Sequence, residues 1–243
     1  GRAIAAWTDL GATLTAVWAA SQRHGYDPAS ATRVHQSRLA RAIAGLQFAQ
    51  ACIGRPLLNS GQLVVNGVDH GSWASTYARL TALRPPQVRV ACHGDPQPGN
   101  ILLDEHGTWY LVDWEWSGLY HDWRMMVSHL VGSWYVADLL ADANGHLTES
   151  RAGIRLDYPP PQHRIDDSWH APAVSAFNTM SDPAFREDDL TALALHVALL
   201  LLRELPRAIV AGQTRPIAPL LGEAIRLVYS PARDVHPLFR RFM

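Results

Sequence analysis

Lysine is absent from this chain of 243 residues, and all 21 of its basic side chains are arginines. Against 22 acids they leave a net charge of −1, and no run of basic residues stands out. Nothing in the overall charge therefore recruits nucleic acid or an anionic membrane. Cysteine is nearly absent too. Cys52 and Cys92 cannot build a disulfide framework and lack the spacing of metal ligands, so a reducing cytoplasm is the expected compartment. Long apolar runs are missing. The longest, "ALALHVALLLL" at 192–202, is too short to span a bilayer, is interrupted by His196, and reads as a buried helix. No signal peptide is visible at the N-terminus. H-E-x-x-H is absent, which disfavours zinc, and without G-x-S-x-G a serine-hydrolase elbow has no support.

Apolar residues make up 48% of the chain and charged ones 18%, which suits a globular protein with a true core. Helical spacing runs through 2–23, with Ile4, Trp7, Leu10, Leu14, Val17 and Trp18 on one face, before Gly25 and Pro28. A second helix is expected over 30–53, through Val34, Leu39, Ile43, Leu46 and Phe48, and a third over 69–83 with Asp69 as N-cap. The period then changes. "QVRVACHG" (87–94) alternates like a strand, and "NILLD" (100–104) and "TWYLVDW" (108–114) flank a hairpin turn, "EHG". Helices are expected again over 121–131, 133–142, 187–212 and 216–229, with an irregular stretch from Asn144 to Pro183. The fold class expected is α+β, mostly helical, with a small β hairpin in its middle.

The densest chemistry lies in "ACHGDPQPGNILLDEHGTWYLVDWE" (91–115). Asp95 sits on a loop stiffened by Pro96 and Pro98, Asn100 ends that loop, and the hairpin returns Asp113 beside Asn100. Two carboxylates and an amide are hard oxygen donors of the kind magnesium prefers. Phosphoryl transfer needs little more than this: an acceptor hydroxyl aligned by a carboxylate, and Mg²⁺ held against the phosphates. Read as plain turn formers, the same residues would need no further explanation.

"HGDPQPGN" followed by "LVDWE" resembles the catalytic segment of the aminoglycoside phosphotransferase and choline kinase family, small-molecule kinases with a protein-kinase-like fold. "WTDLGATLTAVWAAS" looks like that family's early C-lobe helix, and "SGLYHDW" like the turn after its metal segment, so the resemblance covers roughly residues 4 to 131. It implies transfer of the γ-phosphoryl group of ATP to a small-molecule hydroxyl. Asp95 would be the catalytic base, and Asn100 and Asp113 would bind the nucleotide's Mg²⁺. His93 and Gly94 would shape the loop, and Asp122 would cap the helix at 122–131 and tie it to that loop. Glu115 would lie near metal or substrate. His93 by itself reads as a hydrogen-bonded loop organiser, and Trp114 and Trp116 read as core packing at least as well as substrate stacking.

The chain departs from the family in having no lysine and no G-x-G-x-x-G, the parts that cover ATP phosphates in kinases. It opens on Gly1, not Met. The expectation is a kinase C-lobe over 1–243, divided into helical 1–86, a catalytic and metal segment 87–118, and helical 119–243, with an N-terminal β lobe upstream and absent from this chain. On that expectation the chain alone would bind ATP poorly. Two other classes stay in view: a non-catalytic pseudokinase or ligand-binding module, and an interaction subunit whose second lobe comes from another chain.

Residues 138–189 hold ten acids (Asp138, Asp142, Glu149, Asp157, Asp166, Asp167, Asp182, Glu187, Asp188 and Asp189) against four arginines. Such a segment reads either as a cleft recruiting a cationic acceptor such as an aminoglycoside, or as a solvated surface. Trp169 and Tyr158 read equally as sugar-binding walls or core. The acceptor stays open among an antibiotic, a choline-like amine, an amino alcohol and a sugar. The nucleotide stays open between ATP and GTP, and no oligomeric state is assigned.

Overall fold

The first helix, α1 (Arg2–Ala20), buries Trp7, Leu10, Leu14 and Trp18 along the expected stripe, while Val17 faces out. The computed structural model describes residues 1–23, 28–54, 56–58, 61–141, 144–161, 167–210, 215–229 and 237–242. Gly25 and the side chain of Val34 lie outside that description. In α2 (Pro28–Ile53), Leu39, Ala42, Leu46 and Ala49 form the buried stripe, and Phe48 is exposed.

The segment expected to be helical from 69 divides in two. Leu63–Val65 (β1) and Val68–Asp69 (β2) make an antiparallel hairpin. Its turn is Asn66-Gly67, both at positive φ, the conformation a two-residue hairpin requires. Asp69 is therefore a strand residue. The cap of α3 (Trp73–Thr81) is Ser72, whose hydroxyl accepts the Ser75 N–H in a reciprocal capping box.

Val90–Cys92 (β3) is the expected strand before the loop. Ile101–Leu103 (β4) and Trp109–Leu111 (β5) form the expected antiparallel hairpin, pairing Ile101 with Leu111 and Leu103 with Trp109. Asp104 closes its turn by accepting the N–H groups of His106 and Thr108 on one oxygen. Trp109 Nε1 donates to Asp9 Oδ2 (2.7 Å), fastening the hairpin to α1. Gly118–His121 (β6) returns antiparallel to β3 through an irregular register.

One helix, α4 (Trp123–Ala141), replaces the two expected on either side of Gly132. That glycine is a contact point and not a break. A Cβ there would stand 2.7 Å from Leu200 Cδ2, so the missing side chain lets α4 approach its neighbour closely. The stretch expected to be irregular holds His146–Glu149 (β7), Ile154–Asp157 (β8) and Ala171–Met180 (α5). β8 pairs in parallel with β1, completing a four-stranded sheet in the order β2-β1-β8-β7. Strands as short as β7 and β8, with one and two apolar residues, carry little local signal, and the parallel partner of β8 lies about ninety positions away.

Arg186–Val210 (α6) and Ile217–Tyr229 (α7) fall where apolar spacing places them. Nearly all of α6 from Leu190 to Leu202 is buried, because α2, α4 and α7 pack around it. Among the described residues, no helix is long and apolar enough to cross a membrane. The architecture is α+β and mostly helical, with small sheets at the edge of a helical core.

Candidate active site

The loop after β3 is built by its own side chains. Gly94 takes φ +94°, a conformation open to glycine at little cost, and turns the chain sharply. His93 is buried and holds the loop at both ring nitrogens. Its Nε2 lies 2.8 Å from the Val112 carbonyl, so it must donate there, and Nδ1 then accepts the Asp95 N–H at 3.4 Å. His93 is thus the loop organiser that the sequence suggested. The ring edge meets Trp114 at 4.7 Å between centroids.

Asp95 and Asn100 are brought together. Asn100 Nδ2 donates to the Asp95 carbonyl (2.9 Å), and the Gln97 N–H meets the same oxygen at 2.8 Å. Only the NH₂ end of an amide can meet a carbonyl, so the Asn100 amide oxygen faces away from it. Asp113 follows Val112, whose N–H bonds the Asn100 carbonyl at 2.9 Å, so the hairpin ladder carries it back to the loop. Asp113 itself is exposed, with φ 64° and ψ 61°. A left-handed non-glycine residue is sparsely populated and strained, and such strain concentrates at functional sites. Glu115 is exposed in the 3-10 turn Trp114–Trp116, and Trp114 is exposed beside it. No three His, Cys, Asp or Glu side chains among the described residues cluster closely enough to hold a metal by themselves.

Three side chains that the sequence reading did not single out surround Asp95. His129 of α4, fully buried, has Nδ1 2.7 Å from Asp95 Oδ1. Neither atom makes a well-aimed hydrogen bond, so this is a close contact of off-axis geometry. Arg38 of α2 lies 2.7 Å from His129 Nε2 and also donates to the Gly94 carbonyl at 3.0 Å. Arginine can only donate, so Nε2 carries the lone pair and Nδ1 the proton that faces Asp95. Arg203 of α6 comes within 4.0 Å of the same carboxylate. Burial pushes the His129 pKa down and Arg38 pushes it further, to about 3. Burial raises the Asp95 carboxyl, but His129, Arg203 and Arg38 outweigh it and hold it at about 2. Asp95 is therefore a carboxylate at neutral pH beside a neutral imidazole. The available signal was only that polar His129 stands inside the apolar run of α4; Arg38 and Arg203 had none.

Asp122 caps α4, as expected, by accepting the Arg124 N–H at 2.9 Å. Its tie, however, does not run to the catalytic loop. Arg124 embraces both of its oxygens, at 2.9 and 2.8 Å, and reaches Asp189 of α6 at 3.3 Å. His196 of α6 lies 3.3 Å from Asp122 Oδ2. Burial raises the Asp122 carboxyl, yet the Arg124 charge holds it far below the carboxylate range. Arg124 thus clamps α4 to α6 behind the site.

The described acids of 138–189 are dispersed. Asp138 is buried, Asp157 pairs with Arg155, Asp182 caps the turn at Pro183, Asp188 pairs with Arg84, and Asp189 pairs with Arg124. Asp142 and Asp166 lie outside the described residues. Tyr158 is core, its hydroxyl on buried Glu223 at 2.7 Å. Trp169 packs on Trp134 at 4.4 Å between centroids. A cavity of about 650 Å³ between Cys52, His146 and Arg215 shares no residue with the His93–Asn100 loop. A cavity of about 400 Å³ does adjoin it, at Gln97, Pro98 and Gly99.

The model of the phosphotransferase enzyme family matches residues 3–151, which span α1, the catalytic loop, the β4–β5 hairpin and α4. The chain belongs to that family. Neither the curated proteins nor the solved structures return a match.

Proposed function

We propose that this protein moves the γ-phosphoryl group of ATP to a hydroxyl of a small molecule, with Asp95 as the residue that handles the hydroxyl. One observation carries the reading. Asp95 is a carboxylate held ionised in a mostly buried pocket by His129, Arg38 and Arg203, while its own carbonyl fixes Asn100.

In this reading the acceptor O–H donates to Asp95, which aligns the oxygen with the phosphorus. The oxygen–phosphorus bond forms, the bond to the leaving diphosphate breaks, and the hydroxyl proton passes to Asp95. A carboxylate with a pKa of about 2 is a weak base, so orientation is its larger contribution and proton uptake comes late. The neutral His129 packs against Oδ1 at 2.7 Å and limits the rotation of Asp95.

The donor set fits magnesium, which takes hard oxygens and keeps several waters. Asp113, exposed and re-aimed by its left-handed backbone, and the outward amide oxygen of Asn100 would hold it. Bound there, the ion would neutralise charge on the nucleotide phosphates. The lobe carrying these loops corresponds, in this reading, to the C-lobe of a protein-kinase-like fold.

The test is Asp95→Asn, which keeps shape and removes the charge. Nucleotide consumption across a panel of hydroxylated acceptors should fall roughly 10³-fold in kcat, within the range for a positioned acid–base group. Far-UV circular dichroism should be unchanged. Turnover within tenfold of the parent would remove Asp95 from this role.

A further inference from the structure

The cavity beside the catalytic loop lies between Gln97–Gly99 and the facing sides of α4 and α6. At about 400 Å³ it has the size of a small-molecule site. Its floor is apolar, made by Trp134, Val136 and Leu140 of α4 and Leu200 of α6. Trp134 is held in place by aromatic neighbours, with Trp169 at 4.4 Å and Trp7 at 5.5 Å between ring centroids. Gln97 is the wall nearest the chemistry, its Nε2 3.3 Å from Asp95 Oδ2.

The charged residues lining this cavity are Glu204 and Arg207, and they neutralise each other at 3.1 Å. Glu204 is buried and also meets Arg203 at 3.4 Å. Arg203 in turn reaches Asp95, and Arg38 stands behind His129. Two carboxylates, Asp95 and Glu204, thus face three guanidinium groups, Arg38, Arg203 and Arg207, for a net of +1. None of the described acids of 138–189 lines the cavity. A polycation entering here would have to compete with arginines for carboxylates they already hold. A flat apolar body would instead cover the Trp134 ring and displace water from four apolar side chains.

We infer that this cavity takes an uncharged acceptor whose hydroxyl is carried on an apolar body of aromatic size, and that it disfavours aminoglycoside-like polycations. The fate of the hydroxyl rests on the phosphotransfer reading; binding does not.

The test is equilibrium binding of 2-(2-naphthyl)ethanol to the full chain, followed by the probe's own fluorescence, with kanamycin titrated in parallel by calorimetry at low and high salt. The alcohol should bind saturably, with an affinity nearly independent of salt, since neither electrostatic steering nor ion pairing contributes. Kanamycin should bind roughly tenfold more weakly or worse. Ala137 is exposed on α4 and lines the cavity. Ala137→Trp should fill it and weaken the alcohol by roughly tenfold or more while circular dichroism stays unchanged. Ala137→Glu should weaken the alcohol and strengthen kanamycin. Tighter, salt-sensitive binding of kanamycin to the parent would overturn the inference, and so would alcohol binding that neither variant disturbs. Binding of the alcohol supports this inference whether or not nucleotide-dependent turnover follows.

Discussion

Acidification from pH 7 to pH 5 should destabilise this protein. The groups responsible are His129 and His196, both fully or almost fully buried. Burial lowers their pKa from 6.5 to about 3 and about 4. In the unfolded chain both rings are free to protonate near 6.5. Between that value and the folded one the unfolded state binds more protons, so stability is full above 6.5 and falls as pH drops toward 4 and then 3. At pH 5 each ring costs roughly 2 kcal/mol, the gap from 6.5 converted at about 1.4 kcal/mol per pH unit. Together that is roughly 4 kcal/mol, a large share of the ~5–15 kcal/mol that holds a typical domain. His35, lowered by burial in the same direction, adds to the trend. Asp95, whose carboxyl is also lowered, has its window below the ordinary carboxylate value of 3.8 and does not act in this interval. Urea unfolding at pH 7, 6 and 5, followed by tryptophan fluorescence, gives the slope. Imidazole ¹⁵N shifts of His129 should report the neutral Nδ1–H form down to pH 5. A urea midpoint that stays flat or rises on acidification would refute the argument.

Three further outcomes are expected. Asp95→Asn should abolish most turnover, as described above, in the nucleotide-consumption assay. Asp113→Gly and Asp113→Ala should both lose phosphotransfer, but glycine should be more stable than alanine by roughly 1 kcal/mol in chemical denaturation, because only glycine relieves the left-handed backbone. Equal stability of the two would mean that φ 64° carries no strain. Arg124→Met should cost roughly 3–5 kcal/mol, since it strands the Asp122 and Asp189 carboxylates without their shared partner. A thermal midpoint within a degree or two of the parent would contradict that clamp.

The long helices were legible because burial on one side imposes a period of 3.6 on α1, α2, α6 and α7. The candidate site was legible because its residues are local: His93, Asp95, Asn100 and Asp113 all fall within two dozen positions. What escaped was whatever depended on distant partners. β8 is a strand because β1 is there to pair with it. Gly132 sits inside a helix where Leu200 fills the space a side chain would need. Arg38, His129 and Arg203 converge on Asp95 from three helices, with no spacing to announce it. The acids of 138–189 read as a cleft or as a solvated surface because they are close in sequence; folding sends Asp138 inward and commits Asp157, Asp182, Asp188 and Asp189 to separate tasks. Asn66-Gly67 is a local hairpin signal, and it makes Asp69 a strand residue and not a helix cap.

The parallel pairing of β1 with β8 bears on how the molecule can be cut. Residue 151, where the family match stops, falls in the tight connection between β7 and β8. A shortened version ending there would keep Asp95, Asn100 and Asp113, yet lose Arg203 and strip β1 of its parallel neighbour across Leu63–Val65, leaving open amide and carbonyl groups ready to recruit another copy. The family match and the paired sheet thus end at different places, and a version that keeps β1 paired on that side has to include Ile154–Asp157.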